Sequence, residues 1–418
     1  MRHRRIAICE GTSLPIDTQS SGVRRRGTAV YAHRMFELNT VQEFDPVRDE
    51  EFWASLPARP AVFLIEMRSP EARPYLARTA DLQRRLGVLL GRAQQPSRRL
   101  NLREIAARVR YRLVGSRFEQ SLVLYHHAVV IHAGRHRDWM RLRPPVVLKL
   151  KLRSAYPRCY VTRRILGDGA LYIGPFGTRR GADAFLSQFL NFFRIRRCQI
   201  RIRRDPAFPG CLYSEMKMCM APCFAGCTDQ EYGAEVVRVE AFLATSGGSL
   251  AGELEASRDA ASAGLDFERS AAIHKKMEKV TAALRLLPEL ARKLEDLTAV
   301  VLQRATAEQA VGVFPVRRGF LLPPFLLEFG SLAADPRSVE AILREHLESE
   351  MPAELPGGVP GLDRLSDHLS LLARWYYSKP RSGEILYFDP ARGGWPYRRI
   401  VRACSRLLAR GGAAPPRG

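Results

Sequence analysis

Five of the eight cysteines in this chain of 418 residues lie between residues 198 and 227. Four of them follow the pattern Cys198-x12-Cys211-x7-Cys219-x3-Cys223, and Cys227 is the fifth. Nothing in the sequence points outside the cell, where structural disulfides are common, so this local cluster indicates a metal site. Zinc usually takes its sulfurs from cysteines about two to four residues apart. Because an iron–sulfur cluster tolerates wider gaps, the spacing favours such a cluster, with zinc and buried free cysteines as the alternatives.

The chain is strongly basic. Lys and Arg total 66 against 43 Asp and Glu, which gives a net charge of +23, and only eight of the cations are Lys. A G+C-rich genome would explain the share of arginine but not the net charge. Because arginine grips phosphate with two parallel hydrogen bonds, the sequence predicts contact with nucleic acid. The candidate residues for this contact are Arg84, Arg85, Arg194, Arg196, Arg197, Arg201, Arg203 and Arg204.

Hydrophobic patterning predicts an α+β protein built from several small domains. The expected order is a disordered basic N-terminus at 1–50, a small mixed-sheet domain at 51–150, a cysteine-rich module at 151–230, a helical hairpin at 231–298, a small C-terminal α/β module of uncertain fold at 299–410 and a disordered tail at 411–418. No apolar run reaches the ~18–20 residues of a membrane span, and the N-terminus lacks the apolar stretch of a secretory signal. We therefore expect a cytoplasmic protein without a membrane partner.

Apolar residues spaced by four and three positions mark a seam in the expected hairpin. They are Ile273, Met277, Val280, Leu284 and Leu287. Gly264 fits the end of the preceding helix, and Asp266 fits the N-cap of the helix that carries the seam. The two helices are therefore predicted to pack as an antiparallel hairpin.

Several motifs, in this order, resemble the cysteine-rich middle part of the UvrC family. They are Leu171-Tyr-Ile-Gly-Pro-Phe-Gly177, Phe189-Leu-Asn-Phe-Phe-Arg-Ile-Arg-Arg-Cys198, Cys211-Leu-Tyr and Cys219-Met-Ala-Pro-Cys223. UvrC is the nuclease subunit of the bacterial excinuclease of nucleotide excision repair, and the resemblance covers about residues 51 to 298. In that family the four matching cysteines bind a four-iron, four-sulfur cluster, so the resemblance implies this cofactor here.

Residues 265–272, Leu-Asp-Phe-Glu-Arg-Ser-Ala-Ala, resemble the UVR motif with which the family docks onto UvrB. The resemblance implies that residues 250–290 bind a UvrB-like repair protein. The implied contact residues are Phe267, Glu268, Ala271 and Ala272. The pair His274-Lys275 stands where the family usually has Arg-Asp, which replaces an acidic group with a basic one.

Residues 56–150 resemble a GIY-YIG nuclease domain, whose second half-motif survives as Tyr75-Leu76-Ala77. Arg85 stands where the family has its catalytic arginine, and Arg78 stands in place of a lysine. The resemblance thus implies that Tyr75, Arg78 and Arg85 are the remnant of a catalytic site. In such a site a tyrosine or water attacks the phosphodiester while arginine and a divalent metal neutralise the developing charge.

Two expected catalytic positions are changed. Phe63 replaces the first tyrosine and lacks its hydroxyl, and Tyr125 takes the place of the metal-binding glutamate. Because the metal and its carboxylate ligand stabilise the transition state, we expect impaired cleavage, with Mg²⁺ or Mn²⁺ bound only if the site is active.

The C-terminal part also departs from the family. After residue 380 it shows neither the acidic triad of an RNase H-like domain nor the paired glycine hairpins of a helix-hairpin-helix domain, so a second incision activity is not expected. The leading expectation is a UvrC-like DNA-repair protein that binds DNA and a repair partner. The alternatives are an active single-incision endonuclease and an RNA-binding or regulatory module on the same scaffold.

Overall fold

Three antiparallel sheets follow one another along the chain in the computed structural model, which describes residues 36–92, 100–332, 337–348 and 361–409. Helices pack on each sheet, so the predicted α+β class is confirmed. All strand pairs within these ranges are antiparallel. The expected mixed sheet of the first domain and the expected α/β character of the C-terminal module are therefore wrong. Short hairpin connections between neighbouring strands allow antiparallel pairing, whereas parallel strands need long crossovers.

The first sheet has the strand order β1-β4-β2-β3. Its strands are β1 (Thr40–Glu43), β2 (Ala61–Met67), β3 (Tyr75–Thr79) and β4 (Ala106–Leu113), and its helices are α1 (Glu50–Ser55), α2 (Leu82–Leu90), α3 (Arg117–Ile131) and α4 (His136–Trp139). Successive side chains of a strand point to opposite faces of the sheet. Val62 and Leu64 join the core shared with α3, whereas Phe63 and Ile65 join the core shared with α2. The sheet therefore separates α2 from α3.

Strand β1 lies inside the segment that the sequence predicts to be disordered. It pairs with β4, and Leu38 and Phe44 on either side of it are buried. The prediction for residues 1–50 is therefore wrong from residue 36 onward. The four residues of β1 carry too weak a local pattern to be recognised, because the strand depends on a partner far along the chain. Residues 1–35 and the expected tail at 411–418 lie outside the described residues.

The second sheet has the strand order β6-β5-β7-β8. Its strands are β5 (Val146–Leu150), β6 (Cys159–Thr162), β7 (Leu171–Phe176) and β8 (Arg292–Lys293), and its helices are α5 (Arg179–Phe189), α6 (Leu212–Glu215) and α7 (Asp229–Ala244). Since β5 pairs with both β6 and β7, the domain boundary lies before residue 146 rather than at residue 150. The rings of Phe189 and Phe242 stack at 5.7 Å where α5 meets α7, so this module has its own core.

The predicted helical hairpin consists of α8 (Gly248–Ala263) and α9 (Phe267–Leu284), which pack along each other. Gly264 ends α8, and the Asp266 carboxylate accepts a hydrogen bond from the backbone N–H of Arg269 at 3.0 Å, as an N-cap does. Both end signals were predicted correctly. The seam also packs as predicted, with Val280 buried in the core of the second module, although α9 ends at Leu284.

The third sheet has the order β11-β10-β9-β13, with β12 also paired to β10. Its strands are β9 (Ala299–Arg304), β10 (Ala310–Arg317), β11 (Phe320–Leu321), β12 (Phe325–Glu328) and β13 (Glu384–Tyr387), and its helices are α10 (Phe329–Leu332), α11 (Val339–Leu347), α12 (Gly361–Tyr376) and α13 (Tyr397–Ala409). Helices α11 and α13 cover one face, and α12 covers the other together with α3 of the first domain. Within the described ranges no helix is long and apolar enough to cross a lipid bilayer.

A buried polar cluster joins the first domain to the C-terminal module where α3 meets α12. The Asp367 side chain, which is 3% exposed, accepts hydrogen bonds from Tyr125 Oη at 3.1 Å, His136 Nε2 at 3.0 Å and Arg137 Nε at 2.6 Å. Burial, followed by the nearby Asp367 carboxylate, raises the pKa of Tyr125, so its hydroxyl keeps the proton that it donates. A network that links the Asp367 carboxylate to Tyr125, His136 and Arg137 therefore holds the two modules together.

His368, next to Asp367, is buried as a neutral imidazole. Its Nδ1 accepts a hydrogen bond from the backbone N–H of Leu321 at 3.0 Å. Burial, followed by the positive charge of Arg364, lowers its pKa to about 4. In the unfolded chain histidine binds a proton at a pKa of about 6.5, so between these values the unfolded state holds more protons. We therefore expect the free energy of unfolding to fall by about 3 kcal/mol from this group as the pH decreases from about 6.5 to about 4.

Urea unfolding across this pH range measures the effect, with His368→Asn as the comparison. Asparagine offers an acceptor oxygen near the place of Nδ1 but does not titrate. The variant should lose less stability than the unsubstituted protein over the same pH interval. Parallel pH profiles for the two proteins would contradict the assignment of a neutral, buried His368.

Candidate metal centre and nucleic-acid interface

The four predicted ligand cysteines line one cavity of about 240 Å³ in the segment between α5 and α7. Cys219 and Cys223 are buried, and Cys198 and Cys211 are half-buried at the rim. The rest of the lining is mostly apolar and includes Ile200, Ile202, Phe208, Leu212 and Pro222. Cys227 does not line the cavity and instead packs in the core of the second module. The structure thus separates the fifth cysteine from the four that the spacing singled out.

Local backbone structure aims two of the thiols. Cys211 stands directly before the short helix α6, and its backbone N–H donates to Ser214 Oγ at 3.0 Å. Ala221, with a φ of 57° in the left-handed region, turns the chain between Cys219 and Cys223. In this turn the backbone N–H of Ala221 donates to Cys219 Sγ at 3.3 Å. The turn therefore places both buried sulfurs on the same side of the chain.

The thiols influence one another. Burial, together with the nearby charges of Cys198, Cys223 and Cys211, raises the pKa of Cys219 to about 11, and the hydrogen bond from the Ala221 N–H acts in the opposite direction. Burial also raises the pKa of Cys223, with Cys211 as the leading charge that adds to it. Without a bound cation these groups are therefore protonated thiols, since several thiolates in one cavity would repel each other.

The cavity offers the donors that a metal centre requires. Four sulfurs with apolar surroundings are the ligand set of an iron–sulfur cluster or of zinc. The described ranges hold no three His, Cys, Asp or Glu side chains already arranged to bind one metal ion.

The candidate arginines between residues 194 and 204, which lie beside the cavity, divide into two groups. Arg194, Arg201 and Arg203 are exposed, and none of them forms an ion pair within the described residues. Arg196 is buried and donates to the carbonyl oxygens of Tyr156 at 2.9 Å and Ile200 at 2.7 Å. Its predicted place in a DNA-binding surface is therefore not supported, because its donors are used inside the protein.

Two further candidates in the run have structural partners. Arg197 Nη2 donates to the Leu190 carbonyl oxygen at 2.7 Å. Arg204 donates to Asp229 at 2.8 Å and to the Cys227 carbonyl oxygen at 2.6 Å. Both side chains support the chain around the cavity, which leaves the exposed group as the free basic surface.

Part of the predicted nuclease remnant is assembled. Arg85 Nη2 donates to Tyr75 Oη at 2.9 Å, and the Phe63 ring lies 6.2 Å from the Tyr75 ring. All three lie on the face of the first sheet that α2 covers. Arg84, one residue before Arg85, is exposed and has no ion-pair partner within the described residues.

The other predicted members lie on the opposite face. Arg78 Nη1 approaches Ser121 Oγ of α3 at 3.4 Å, and Tyr125 of α3 donates to Asp367 behind the sheet. Arg78 and Tyr125 are therefore separated by the sheet from Tyr75 and Arg85. Sequence spacing alone does not show this separation, although the period of two along β3 would have placed Arg78 opposite Tyr75.

The predicted partner-binding residues form an exposed tip of the hairpin. Leu265 is 73% exposed and Phe267 is 67% exposed, and Glu268, Ala271 and Ala272 are exposed beside them. Large apolar side chains that are exposed close to one another often mark a binding surface.

Asp367 and its partners are the main residues that sequence reasoning missed. The available signal was the polar pair Asp367-His368 within the apolar spacing of Leu365, Leu369 and Leu372 on one helix face. Charged residues on such a face are rarely buried without partners, so this pair pointed to a buried network.

Residues 146–242 match the family model of the UvrC/Cho excinuclease, middle domain. The match begins at the first residue of β5, which agrees with the corrected domain boundary. No solved structure gives a significant match.

Curated relatives extend the similarity. UvrABC system protein C of Desulfatibacillum aliphaticivorans is 24% identical over 351 residues, which are 82% of this chain and 56% of the relative. The protein of the same name from Moorella thermoacetica is 26% identical over 349 residues, 82% of this chain and 55% of the relative. That of Nitratidesulfovibrio vulgaris is 30% identical over 212 residues, 49% of this chain and 30% of the relative.

The chain spans about half the length, or less, of the curated relatives that it matches. The middle-domain match over residues 146–242 and the similarity to these relatives over most of the chain support an assignment to the UvrC family.

Proposed function

We propose that this protein acts in nucleotide excision repair by binding DNA and a repair partner, with a four-iron, four-sulfur cluster on its four clustered cysteines. The observation that carries the proposal is the convergence of these thiols on one cavity inside the part of the chain that matches the UvrC middle domain. Relatives that cover most of this chain are named as the C protein of the UvrABC system.

The cavity suits a cluster because its donors are four thiols and a backbone N–H already donates to one sulfur, as hydrogen bonds to sulfur do around such clusters. A bound cluster would supply iron–thiolate bonds to Cys198, Cys211, Cys219 and Cys223. These bonds would stiffen the segment 198–223 and the arginines that it carries. Zinc on the same thiols is the alternative.

DNA contact is proposed at the exposed arginines beside the cavity, Arg194, Arg201 and Arg203. Arg197 and Arg204 hydrogen-bond to backbone carbonyl oxygens of this region. The three exposed arginines therefore extend from a loop whose backbone is held in place. Arginines that neutralise phosphates release counterions, so DNA affinity should fall steeply with salt.

Partner binding is proposed at the exposed apolar tip formed by Leu265 and Phe267. An exposed apolar tip suits a partner surface with a matching apolar groove. His274 and Lys275 lie on the same helix as Phe267 of the tip, and His274 Nε2 is 3.8 Å from Glu278. The basic pair changes the charge beside the tip but leaves Leu265 and Phe267 exposed.

The protein is expected not to nick DNA with Mg²⁺ or Mn²⁺ at the rate of a dedicated nuclease. Phe63 has no hydroxyl, and Tyr125 Oη is bound to Asp367 on the far side of the sheet from Arg85. With Tyr125 in place of the metal-binding glutamate, the developing phosphate charge would lack the divalent cation that such a glutamate holds. Conversion of damaged supercoiled plasmid to open circles measures nicking directly.

Arg85→Ala and Arg84→Ala form a matched pair, since each removes one arginine from α2 but only Arg85 bonds Tyr75. Robust metal-dependent nicking that Arg85→Ala abolishes and Arg84→Ala preserves would overturn the proposal of an inactive site. It would favour the single-incision endonuclease, which the Tyr75–Arg85 contact supports.

A further inference from the structure

Five arginines lie along the junction between the first domain and the C-terminal module, away from the cysteine cavity. We name them the arginine seam: Arg78, Arg117, Arg141, Arg143 and Arg374. All five are exposed, and none of them forms an ion pair with a carboxylate within the described residues.

Backbone carbonyl groups position Arg374. Its Nη2 donates to the Arg141 carbonyl oxygen at 2.6 Å and approaches the Met140 carbonyl oxygen at 3.4 Å. This anchors the last turn of α12 on the turn that follows α4, two residues before Arg143. Carbonyl oxygens orient the guanidinium without cancelling its charge.

Arg78 reaches the same junction from the first sheet. Its Nη1 lies 3.4 Å from Ser121 Oγ, and this hydroxyl donates to the Arg117 carbonyl oxygen at 2.9 Å. One turn away on α3, the Phe118 ring packs 5.2 Å from the ring of Trp375, the neighbour of Arg374. The contact between α3 and α12 thus brings Arg78 and Arg374 to one surface.

The positive charges of the seam repel one another. The pKa of Arg374 is lowered, first by partial burial and then by the positive charges of Arg78 and Arg143. The carboxylates of Asp363 and Asp367, on the same helix as Arg374, form ion pairs with Arg137 and, among the described residues, not with the seam. Repulsion of this kind is removed when an anion binds between the guanidinium groups.

We propose that the arginine seam binds the phosphate backbone of duplex DNA where it crosses from the first domain to the C-terminal module. The inference rests on the proposed DNA-binding function and adds a second contact surface to it. The guanidinium fork matches phosphate, and the seam provides several such forks side by side. Inorganic pyrophosphate carries the same phosphate groups, so the experiment must distinguish binding of duplex DNA from binding of this small anion.

The test compares two triple variants of the full chain that remove the same charge. R78Q/R143Q/R374Q removes three seam arginines, and the control R258Q/R337Q/R392Q removes three arginines that are paired with carboxylates. The double variant R78Q/R143Q keeps both carbonyl contacts of Arg374 in case the triple variant folds poorly. DNA affinity is measured against salt by fluorescence anisotropy, and thermal stability is measured with and without pyrophosphate.

The seam variant should bind DNA at least about tenfold more weakly at low salt, with a salt slope shallower by about 2 to 3, since each lost phosphate contact reduces it by about 0.9. The double variant should show about two thirds of that slope change, and the DNA affinity of the control should stay within about twofold of the unsubstituted protein. Equal losses in the seam and control variants would overturn the seam while leaving DNA binding intact. Stabilisation by pyrophosphate that needs the seam, without an effect on DNA affinity, would also overturn it. No DNA binding by the unsubstituted protein would overturn the proposed function together with the seam.

Discussion

Asp367→Ala is expected to lower the free energy of unfolding by about 2 to 3 kcal/mol, because it leaves buried hydrogen-bond donors without their acceptor. The variant leaves Tyr125, His136 and Arg137 without their common acceptor at the centre of the junction. Tyr125 Oη and His136 Nε2 would then remain unpaired, because both side chains are buried, whereas Arg137 keeps Asp363 and contact with water. Urea unfolding at neutral pH measures the loss.

Asp363→Ala provides the matched control. Its carboxylate pairs with the same arginine, at 3.0 Å from Arg137 Nη1, but its side chain is 54% exposed. Exposed pairs contribute up to about 1 kcal/mol, so this variant should unfold with almost unchanged free energy. Similar losses for both variants would mean that the buried cluster does not hold the two modules together.

Local signals in the sequence predicted much of the fold. The leucines of α2 follow helical spacing, and the apolar run from residue 61 forms β2, so both elements can be recognised from the local pattern. Gly264 and Asp266 predicted the turn of the hairpin, because helix ends depend on the chemistry of one or two residues. The four cavity cysteines were also separated correctly from Cys227 by their spacing.

Features that depend on distant partners were not predictable in this way. Strand β1 is defined by its pairing with β4, and Tyr125 meets an acceptor 242 residues later in the chain. Arg196 belongs to a basic run in the sequence, yet its side chain turns inward to two carbonyl oxygens. In each case the decisive contact comes from tertiary packing, which a local pattern does not contain.

Cys211→Ser is expected to abolish metal binding and to weaken DNA binding, because it removes one of the four thiols of the cavity. Loss of one ligand from a four-cysteine site usually prevents stable assembly, and metal binding contributes directly to the folding free energy of such modules. The exposed Arg201 and Arg203 lie on the segment that the metal would fix. Salt-dependent DNA affinity of the variant measures this connection.

Cys227→Ser is the control, since Cys227 is buried but does not line the cavity. This variant should keep its metal and its DNA affinity, with only a modest loss of stability from burying a hydroxyl. Equal DNA affinities of the two variants would mean that the cavity does not affect DNA binding.

The metal content of the unsubstituted protein purified without oxygen tests the proposed cluster most directly. Iron, acid-labile sulfide and zinc would be determined per chain together with the visible absorption spectrum. A brown protein with about four iron atoms and four sulfides per chain is expected, and the cluster should be lost in Cys211→Ser and kept in Cys227→Ser. A colourless, iron-free protein with one equivalent of zinc would contradict the proposed iron–sulfur cluster.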